Sequence, residues 1–565
     1  MNGRMQWMRI TRRWLANRAQ PPRLRAVVAR EHQLSMMLIT LRDGSRTLFN
    51  VSVDKEAELK YGLDTIAGYY FRMKKGLAAH VASTTLPVLL HGKTSAHIIR
   101  RLPNVEAWET GHILQLDNKQ FIVQVNPPRI VSLQFPDTDV FVGFTIAPNV
   151  KMEFSSVQQS HYEWFSSRQK NGKQSWEKVG DNIHYKIQPS DFGQRLKLRC
   201  TPRHEDNYGD AVTIQSNIPV SYGPVRCLSR QRYQFTQSKL DVVGDLRIVS
   251  YNILSSGYSN DVFRYCNPRY LRYSYRLPLI IDELVGYNAD IICLQECDKE
   301  LLQNVILPAM RTHGYSGNHI FKKAEVKEGL ALLYNRSKFQ LLSLHTFALR
   351  DLLLKDKSLG HLAKQIKKHP QLKRKCVNLP NVAMACVFRW REAPNKLFCI
   401  GNTHLYANPM LPEVRLVQAS VVLHQLNLIR NKFTVISDVL PILLCGDFNS
   451  IPNSNVYQLL TTHQKHQKHF FPTTADRWKP IDLVLDNAFD FYSLCGIPQF
   501  TNYVQDFVGT LDYIFGEKEY VDVKQVVPFP TEDEIKRDKA LPSPNAPSDH
   551  LALVCDVTIK DMKKS

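Results

Sequence analysis

The pattern of apolar and polar positions divides the chain into two parts. From Met36 to about Val220, short apolar runs alternate with turn residues, which is the spacing of antiparallel strands. The runs 37–41 and 47–51 flank the turn 42–45 and predict a β-hairpin. Later strand-like runs cover residues 121–125, 140–144, 162–165, 184–187 and 195–200. Regular short strands of this kind predict an antiparallel sandwich.

The order of aromatic residues late in this region resembles an immunoglobulin-like domain. Trp164 stands inside a strand-like run and is expected to be buried on a central strand, while the turn 191–193 precedes another run at 196–200. We therefore predict an N-terminal β-rich region over residues 31–135 and an Ig-like β-sandwich over residues 136–225. Such a sandwich carries no chemistry by itself, so two roles stay open: a structural or substrate-positioning role and direct contact with RNA.

After a predicted linker over residues 226–244, the pattern changes to strands alternating with helices. The apolar runs 246–251 and 289–294 predict buried strands, and residues 276–286 have the periodicity of an amphipathic helix. Further strand runs lie at residues 329–334, 383–388, 396–403 and 442–445. The chain is therefore predicted to be α+β overall, with a mixed α/β domain over residues 245–561.

Composition narrows the class of protein. The chain has 565 residues, of which 44% are hydrophobic and 22% charged, so it is long enough for two or three soluble domains. Its uncharged apolar stretches are far shorter than the roughly 18–20 residues that span a bilayer, so no membrane insertion is expected. The eleven cysteines form no CxxC pair and no regular framework, which favours reduced thiols over a secreted disulfide scaffold.

The positive charge is concentrated at the N-terminus. The net charge is +21, and residues 1–30 contain eight arginines but no Asp, Glu or Lys. Trp7, Ile10 and Trp14 recur at helical spacing before Pro21, which together with the arginines is typical of a mitochondrial transit peptide. We therefore expect residues 1–30 to direct the protein to the mitochondrial matrix; a nucleic-acid-binding arm is the alternative. Without these arginines the net charge is still +13, which suits a polyanionic ligand.

The candidate chemical residues stand directly after the apolar runs, where strand ends emerge at the edge of a sheet. One such residue alone is commonly a cap or a turn residue, so the set carries the argument. In chain order the set is Asn252, Glu296, His404, Asp447, Asn449, Asp512, Asp549 and His550.

These residues lie in short strings that resemble, in order, the motifs of the exonuclease-endonuclease-phosphatase superfamily, which includes deoxyribonuclease I and the abasic-site endonucleases. The strings are SYNIL at 250–254, LQE at 294–296, NTHL at 402–405, GDFNS at 446–450, LDYIF at 511–515 and SDHLAL at 548–553. Three more, at 328–334, 414–418 and 544–550, resemble the deadenylase branch of that superfamily. The resemblance implies a two-sheet α/β sandwich of the deoxyribonuclease I type.

The resemblance also implies a metal cofactor. Mg²⁺, with Mn²⁺ as a possible substitute and one or two ions in the site, is expected on Glu296 and Asn252 together with Asp447, Asn449 and Asp549. Mg²⁺ prefers oxygen ligands and keeps several waters, so a few carboxylates and carboxamides suffice. A hard dication neutralises the charge that builds on a phosphodiester during hydrolysis.

The catalytic residues implied by the resemblance are His404, Asp447, Asn449, Asp512 and His550. His550 is expected to contact the scissile phosphate with Asp512 as its orienting partner. Asp447 and Asn449 are expected to handle the attacking water and a phosphate oxygen, and His404 a phosphate or leaving oxygen. The group that accepts the proton stays open. For the substrate, Pro409 and Phe507 are expected to sandwich an adenine, and Arg415 and Asn545 are further predicted contacts.

Together with the arginine-rich N-terminus and the predicted sandwich, the resemblance implies a Mg²⁺-dependent exoribonuclease that removes adenosines from poly(A) tails of mitochondrial RNA and degrades 2′,5′-oligoadenylates to AMP. The expected partners are RNA with a 3′ oligo(A) tail and 2′,5′-oligoadenylate, and no protein partner is indicated. The alternative is a nocturnin-like phosphatase acting on a small adenine dinucleotide or another phosphate ester. A catalytically silent binding module is disfavoured, because every motif residue is intact. The basic stretch 355–375, with eight cations and one acid, either guides an RNA backbone or is a solvated insertion.

Overall fold

The structure is a computed structural model that describes most of the chain from residue 108 onward and several strands before it. The described residues are 24–29, 36–43, 46–54, 66, 88–91, 108–116, 119–170, 173–224, 227–258, 262–322, 326–434, 439–463, 467–471 and 481–560. The chain forms two compact units. The first comprises residues 1–133, 150–163 and 198–213, and the second comprises residues 134–149, 164–197 and 214–565.

The early strands form one six-stranded sheet. They are β1 (Leu24–Ala29), β2 (Met36–Asp43), β3 (Arg46–Asp54), β4 (Val88–His91), β5 (Ile113–Leu116) and β6 (Lys119–Val125). The sheet order is β3-β2-β1-β6-β5-β4, with β1 parallel to β6 and the other neighbours antiparallel. The predicted hairpin is confirmed as β2 and β3. The arginine-rich residues before Leu24 lie outside the described residues, whereas β1 occupies the end of the predicted transit segment.

The predicted sandwich region is made of further short strands, with a 3₁₀ helix at Pro189–Asp191. The strands are β7 (Arg129–Gln134), β8 (Thr145–Ile146), β9 (Asn149–Glu153), β10 (His161–Lys170), β11 (Lys173–Gly180), β12 (Tyr185–Lys186), β13 (Leu196–Thr201), β14 (Arg203–His204), β15 (Asn207–Tyr208) and β16 (Val212–Gln215). Four of them form a sheet in the order β11-β10-β13-β16. Trp164 lies on the inner strand β10 and is fully buried, as predicted, and its indole N–H donates to the carbonyl of Asn182 at 2.8 Å.

The second half of the chain alternates strands and helices, as predicted. Its first elements are β17 (Asp245–Asn252), α1 (Pro268–Leu271), α2 (Tyr273–Gly286), β18 (Ile291–Asp298), α3 (Lys299–Leu301), a π-helical turn at Leu302–Ile306, α4 (Leu307–Thr312), β19 (Tyr315–Phe321), β20 (Glu328–Asn335), β21 (Phe339–Ala348), α5 (Leu349–Lys355), a 3₁₀ turn at Lys357–Leu359, α6 (Gly360–Lys367) and α7 (Pro370–Asn378).

The later elements complete the two sheets and add small hairpins. They are β22 (Val382–Trp390), β23 (Leu397–His404), α8 (Pro412–Phe433), β24 (Ile442–Asp447), α9 (Asn455–Thr461), β25 (Gln467–Phe471), β26 (Ile481–Leu485), β27 (Phe491–Ser493), β28 (Asn502–Val504), β29 (Phe507–Gly509), β30 (Asp512–Glu517), β31 (Val521–Val526), α10 (Glu532–Lys536) and β32 (Leu553–Ile559).

Two six-stranded sheets form the centre of this half. The strand orders are β19-β20-β18-β17-β32-β31 and β21-β22-β23-β24-β30-β27. One apolar cluster draws residues from both sheets, including Ile248 and Ile291 from the first and Phe398 and Ile400 from the second. Each sheet packs its other face against helices. The predicted two-sheet α/β sandwich is therefore confirmed.

Side-chain alternation along each strand explains why the strands are apolar throughout. In β17, Ile248 belongs to the cluster between the sheets and Val249 to the cluster under α2. In β22, Met384 points inward while Ala383 joins the cluster under α8. Because successive side chains point to opposite faces, a strand buried on both faces needs a continuous apolar run.

The segment predicted as a linker, residues 226–244, contains both exposed and buried residues among those that the structure describes. A 3₁₀ helix forms at Arg230–Phe235, and its Arg232 side chain is almost completely buried. The Arg232 guanidinium donates to the carbonyls of Pro528 and Ala552 and to the hydroxyl of Tyr287, at 2.7–3.0 Å. A buried guanidinium requires such acceptors, and these hydrogen bonds fix the segment on the second unit.

The prediction of reduced thiols agrees with the structure. All eleven cysteines are buried free thiols, as the absence of a disulfide framework predicted. Among the described residues, no helix combines the length and the apolarity that a membrane crossing requires.

Gly446 fixes the spacing between the two strands that carry His404 and Asp447. It lies in β24 opposite Thr403 of β23. A Cβ atom at this position would lie 2.3 Å from the backbone oxygen of Thr403, closer than real contacts allow. The glycine in the GDFNS string is therefore needed for the close approach of the two backbones.

We expect Gly446→Ala to destabilise the protein by about 1–3 kcal/mol, because the added methyl group must push the strands apart. This corresponds to a loss of several °C in Tm, measured by thermal unfolding. The matched control is Gly360→Ala, since a Cβ at Gly360 would meet no atom within 4 Å. Equal Tm values for the two variants would contradict the close-approach argument.

Candidate active site

Strand pairing brings three of the predicted site residues side by side at one end of the second sheet. His404 at the end of β23 is the register partner of Asp447 at the end of the parallel strand β24. Asp447 in turn is the partner of Asp512, the first residue of the antiparallel strand β30. All three side chains are almost completely buried.

The first sheet supplies Asn252 and Glu296 from two parallel strands. Asn252 ends β17 and pairs with Gln295 of β18, so Glu296 lies one residue beyond this pair. The Asn252 amide nitrogen donates to Glu296 Oε1 and to Asp447 Oδ2, each at 3.0 Å. One amide group therefore links the two carboxylates across the two sheets. Its own oxygen accepts the backbone N–H of Leu254 at 3.0 Å.

A β-bulge turns Glu296 into the site. The register between β18 and β20 shifts between Leu294 and Cys297, and Glu296 has a left-handed backbone with φ of 55°. A non-glycine residue in this conformation costs on the order of 1–3 kcal/mol, so the surrounding contacts must hold it. One such contact is the backbone N–H of Ser255, which donates to Glu296 Oε2 at 2.9 Å. The bulge re-aims a side chain, as bulges next to active sites commonly do.

His550 and Asp512 form a tight buried pair. Nδ1 of His550 lies 2.7 Å from Asp512 Oδ2, and the same oxygen accepts the hydroxyl of Thr501 at 2.6 Å. The other ring nitrogen, Nε2, lies 3.7 Å from Asp447 Oδ2 and 3.9 Å from Asp549 Oδ2. Asp512 therefore fixes the ring so that Nε2 faces the other carboxylates.

The two histidines of the site have opposite charge preferences. Burial alone would lower the pKa of His550, but Asp512, Asp549 and Asp447 together raise it well above its usual value. Burial lowers the pKa of His404 well below its usual value, and the charges of Lys322 and His550 lower it further. Since opposite environments separate acid from base roles, His550 is the cationic imidazole at neutral pH and His404 the neutral one.

Asn449 follows Asp447 in a strained turn. Its backbone is left-handed with φ of 48°, and its N–H donates to Asp447 Oδ1 at 2.8 Å. Its side-chain amide donates to the carbonyl of Leu405, the residue after His404, at 3.0 Å. Asn449 thus holds the Asp447 carboxylate and the chain after His404 in fixed positions.

The donor set fits a divalent cation. Burial raises the pKa of Asp447 to about 7, and repulsion from Asp512 adds to the effect. Burial also raises the pKa of Glu296, with Asp549 as the next cause. In addition, the buried oxygen Oδ1 of Asp512 has no hydrogen-bond partner among the described residues. Carboxylates that repel each other in a dry site are stabilised by a metal ion, whose charge restores their ionised forms.

Two overlapping sets of groups are placed to hold the ion. Asp447, Asp512 and His550 each offer a ligand atom, all within 4.8 Å of one another. The predicted set is Glu296, Asn252, Asp447, Asn449 and Asp549, so the two sets share Asp447. Mg²⁺ prefers oxygen ligands, which both sets offer. The individual ligand roles stay predictions, with Asp447 as the residue common to both sets.

The predicted stacking residues are both available at the surface. Phe507 lies on β29, the second strand of the hairpin made with β28, and is 38% exposed. Pro409 lies on the exposed loop between β23 and α8. Arg415, in the first turn of α8, donates to the carbonyl of Asn408 at 2.6 Å and so holds the loop next to Pro409.

Asn545 takes part in a buried turn next to the site. Its amide nitrogen donates to Asp538 Oδ2 at 2.8 Å, and its backbone N–H donates to the hydroxyl of Ser543 at 3.1 Å. The substrate contacts assigned to Asn545 and Arg415 stay predictions, since both side chains have protein partners here.

Several supporting residues were missed by sequence reasoning. Thr501 donates its hydroxyl to Asp512, and the next residue, Asn502, donates its amide to Asp549 Oδ2 at 3.3 Å. Ser255 donates its hydroxyl to Asp298 Oδ1 at 2.6 Å, which holds the turn after Asn252. Lys322 forms a buried ion pair with Glu328. These residues stand outside the apolar runs, and only the adjacent polar pair Thr501-Asn502 before a hairpin was a local signal.

The chain is similar to known proteins in both halves. Residues 249–550 match the Endonuclease/Exonuclease/phosphatase family, and residues 127–221 match the 2′,5′-phosphodiesterase 12-like N-terminal domain. The 2′,5′-phosphodiesterase 12 of Bos taurus is 34% identical over 480 residues, which cover 81% of this chain and 78% of that protein.

More distant relatives match mainly the second half. The CCR4-Not complex 3′-5′-exoribonuclease subunit Ccr4 of Schizosaccharomyces pombe is 28% identical over 387 residues, which cover 63% of this chain and 54% of that protein. Among solved structures, the 2′,3′-cyclic phosphatase ANGEL2 in complex with adenosine-2′,3′-vanadate is 23% identical. That match covers 56% of this chain and 96% of the other, with a TM-score of 0.46.

We expect Asp447→Asn to stabilise the metal-free protein at alkaline pH. The Asp447 pKa is about 7 in the folded chain and about 4 in an unfolded one. The folded state therefore binds more protons between these values, and its stability falls as the pH rises from about 4 to 7. In EDTA at pH 8, the variant should melt several °C above the wild type, and the gap should close near pH 4.

The same melting experiment tests the metal assignment. Added Mg²⁺ should raise the Tm of the wild type at pH 8 and have little effect on Asp447→Asn. The control is Asp522→Asn, which removes an exposed carboxylate and should follow the wild type. If Asp447→Asn melts below the wild type at pH 8, or if Mg²⁺ raises its Tm as much as that of the wild type, Asp447 is not a ligand of the ion.

Proposed function

Because the chain belongs to the endonuclease/exonuclease/phosphatase family and, within it, groups with the 2′,5′-phosphodiesterase 12 proteins, we propose that it is a Mg²⁺-dependent exoribonuclease. It is a hydrolase that works with a divalent cation. In the proposed reaction it removes 3′-terminal adenosines from poly(A) tails of mitochondrial RNA and degrades 2′,5′-oligoadenylates, and each cycle releases AMP.

One observation carries the adenine preference. The hairpin that presents Phe507 is tied at its base to two carboxylates of the site, through Thr501 to Asp512 and through Asn502 to Asp549. A base stacked on Phe507 is thereby held at a fixed position relative to the reacting phosphate. Pro409 lies exposed on the loop that follows His404, and we propose that it supplies a second surface for the same base.

In this proposal a water oxygen attacks the phosphorus while Asp447 accepts its proton. The support is the position of Asp447, whose Oδ2 lies 3.7 Å from Nε2 of both His404 and His550. The cationic His550 donates a hydrogen bond from Nε2 to the phosphate as negative charge builds on its oxygens. The bond from phosphorus to the 2′ or 3′ oxygen of the preceding nucleotide breaks, that oxygen takes a proton from solvent, AMP leaves, and Asp447 returns its proton to solvent. Mg²⁺ held by Glu296 and the neighbouring carboxylates would supply further charge neutralisation.

His404 and Lys322, which is paired with Glu328, also influence how the site binds an anionic substrate. Neutral His404 places Nε2 3.7 Å from Asp447 Oδ2, so a phosphate or leaving-group oxygen near Asp447 is within its reach. Lys322 adds a buried positive charge whose influence extends to His404. Both groups favour an anionic substrate without competing for the proton that Asp447 accepts.

We expect the purified protein to release AMP from oligo(A) and from 2′,5′-oligo(A) with Mg²⁺, and to be inactive in EDTA. Phe507→Ala should raise the KM for oligo(A) roughly 10- to 100-fold, since stacking is worth about 1–3 kcal/mol per base. The measurement is steady-state kinetics on oligo(A), oligo(U) and 2′,5′-oligo(A), with product identity read by chromatography.

The matched control is Val508→Ala, because Val508 is the next residue of the same strand, is 45% exposed and points to the opposite face. It should keep the wild-type KM. An equal effect of Phe507→Ala on oligo(A) and oligo(U), or none, would make Phe507 a packing residue. Release of inorganic phosphate from a small adenine dinucleotide, without hydrolysis of oligo(A), would favour the phosphatase alternative.

We also propose that the protein works in the mitochondrial matrix. The support is the composition of residues 1–30, with eight arginines and no other charged residue. Deleting residues 1–20 stops short of β1, which begins at Leu24, so the folded sheet is kept. The truncated protein should stay in the cytosol with full activity in vitro, as seen by fractionation and a nuclease assay. Import of the truncated protein into the matrix would refute the proposal.

A further inference from the structure

A helical insertion connects β21 to β22, and its helices are fixed to the core by one face each. In α6 the buried residues are Leu362 and Ile366, and in α7 they are Leu372 and Cys376. All four belong to the apolar cluster beneath α8. Because residues four apart lie on the same face of a helix, this packing directs the other side chains of both helices to solvent.

Six of the outward side chains are lysine or arginine. We call the following exposed residues the basic helical surface: Lys364, Lys367, Lys368, Lys373, Arg374 and Lys375. None of them forms an ion pair with another residue in the part of the chain that the structure describes. Asp356, the one acid of the stretch 355–375, already accepts from Ser358 and from Gln425. The charge of this surface is therefore free to attract a polyanion.

Three lysines elsewhere on the second unit have acidic partners. Lys518 pairs with Asp490 at 2.8 Å, Lys524 with Asp245 at 2.6 Å and Lys560 with Asp522 at 3.0 Å. The basic helical surface differs from this pattern, since six adjacent cations lack such neutralisation. An unneutralised cluster of like charges costs stability, so it is expected where a ligand supplies the counter-charge.

The insertion leaves and re-enters the sheet at its catalytic end. The backbone N–H of Leu349 donates to the carbonyl of Asn381 at 3.1 Å. The Asn381 side chain donates to the carbonyl of His404 at 3.0 Å, so the two ends of the insertion are tied to a site residue. The helices therefore begin beside the active site rather than at the opposite edge of the sheet.

The two helices have different anchors. In α6, Gln365 exchanges two hydrogen bonds with the backbone of Val484 in β26, at 2.7 and 2.8 Å. Helix α7 packs against α8. Burial raises the pKa of the Cys376 thiol in α7, and the charge of Glu413 in the first turn of α8 raises it further. The same turn of α8 carries Arg415, which holds the Pro409 loop. The cations thus extend from β26 towards the predicted base-binding loop.

We propose that the basic helical surface binds the phosphate backbone of single-stranded RNA upstream of the 3′-terminal nucleotide in the active site. The proposal rests on the proposed exoribonuclease function. Lysine and arginine contacts to phosphates release counterions, so the contribution is independent of base sequence and strongly salt-dependent. An anionic membrane is a poorer fit, because the apolar faces of both helices are buried in the core rather than available to lipid.

The test compares long and short substrates. In the first variant, Lys373→Gln, Arg374→Gln and Lys375→Gln are combined, and in the second Lys364→Gln, Lys367→Gln and Lys368→Gln. Each should lower kcat/KM on a 20-nucleotide oligo(A) about tenfold at low salt and leave kcat/KM on the trinucleotide unchanged. The dependence of log K on log salt for binding a 20-nucleotide oligo(U), measured by fluorescence anisotropy, should become shallower by about 2 for three lost contacts.

The matched control removes three cations that lie at the ends of β17, α8 and β30 remote from the site. It combines Lys239→Gln, Lys432→Gln and Lys518→Gln; these residues are all exposed, and they lie before β17, at the end of α8 and after β30. The control should keep the wild-type values with both substrates and the wild-type salt dependence. Thermal unfolding of all variants checks that the surface substitutions leave the fold intact.

Several results would overturn the proposal. They are an equal loss on the long and the short substrate, no loss on the long one, or the same loss in the control. Unchanged RNA binding together with lost flotation on anionic phosphatidylcholine–cardiolipin vesicles would assign the surface to a membrane instead. If the wild type does not hydrolyse oligo(A) at all, the proposed function fails, while the oligo(U) binding data still decide the role of the surface.

Discussion

The two hydrogen bonds from the Asn252 amide to Glu296 and Asp447 join the ends of two sheets at the point where the chemistry is located. Asp447 is buried and Glu296 is half-buried. Removal from water raises the pKa of both groups, and repulsion from Asp512 at Asp447 and from Asp549 at Glu296 adds to the effect. Without donors and a cation, such a group would cost several kcal/mol per charge in a dry interior. The fold is arranged so that strand ends, turns and one hairpin all supply these donors.

The backbone is strained at two of the residues that build the site. Glu296 and Asn449 both have left-handed backbones, and each is held by hydrogen bonds to the elements around it. Gly446 allows the closest approach of β23 and β24. Thr501 and Asn502 connect the carboxylates to the hairpin that carries Phe507. The site is therefore rigid where charge develops, and the residue that selects the base is attached to the same frame.

Much of this arrangement could be predicted from the sequence, because strand ends are a local signal. Apolar runs followed by Asn252, His404 and Asp447 identified the strands and the edge of the sheet at which they end. Parallel pairing of β17 with β18 and of β23 with β24 then brought the residues together. The order of the motifs supplied the family resemblance, and the two-sheet architecture followed from it.

The rest depends on contacts between residues far apart in the chain, which leave no periodic signal. The bulge at Glu296 exists only relative to β20, and the partners of Thr501 lie on another strand. The predicted linker is packed because Arg232 finds acceptors near residues 528 and 552. Likewise, the basic stretch could not be interpreted until its apolar positions were known to face the core, which leaves its cations exposed.

We propose that Glu296 and its neighbouring carboxylates hold the catalytic cation. The most direct measurement is the binding of Mn²⁺ followed by electron paramagnetic resonance, with wild-type protein and with Glu296→Gln, which removes one charge at nearly constant volume. We expect saturable Mn²⁺ binding by the wild type that Mg²⁺ displaces, and a large loss of affinity in the variant with its melting curve preserved. Equal Mn²⁺ affinity in the two proteins would rule out Glu296 as a ligand of the cation.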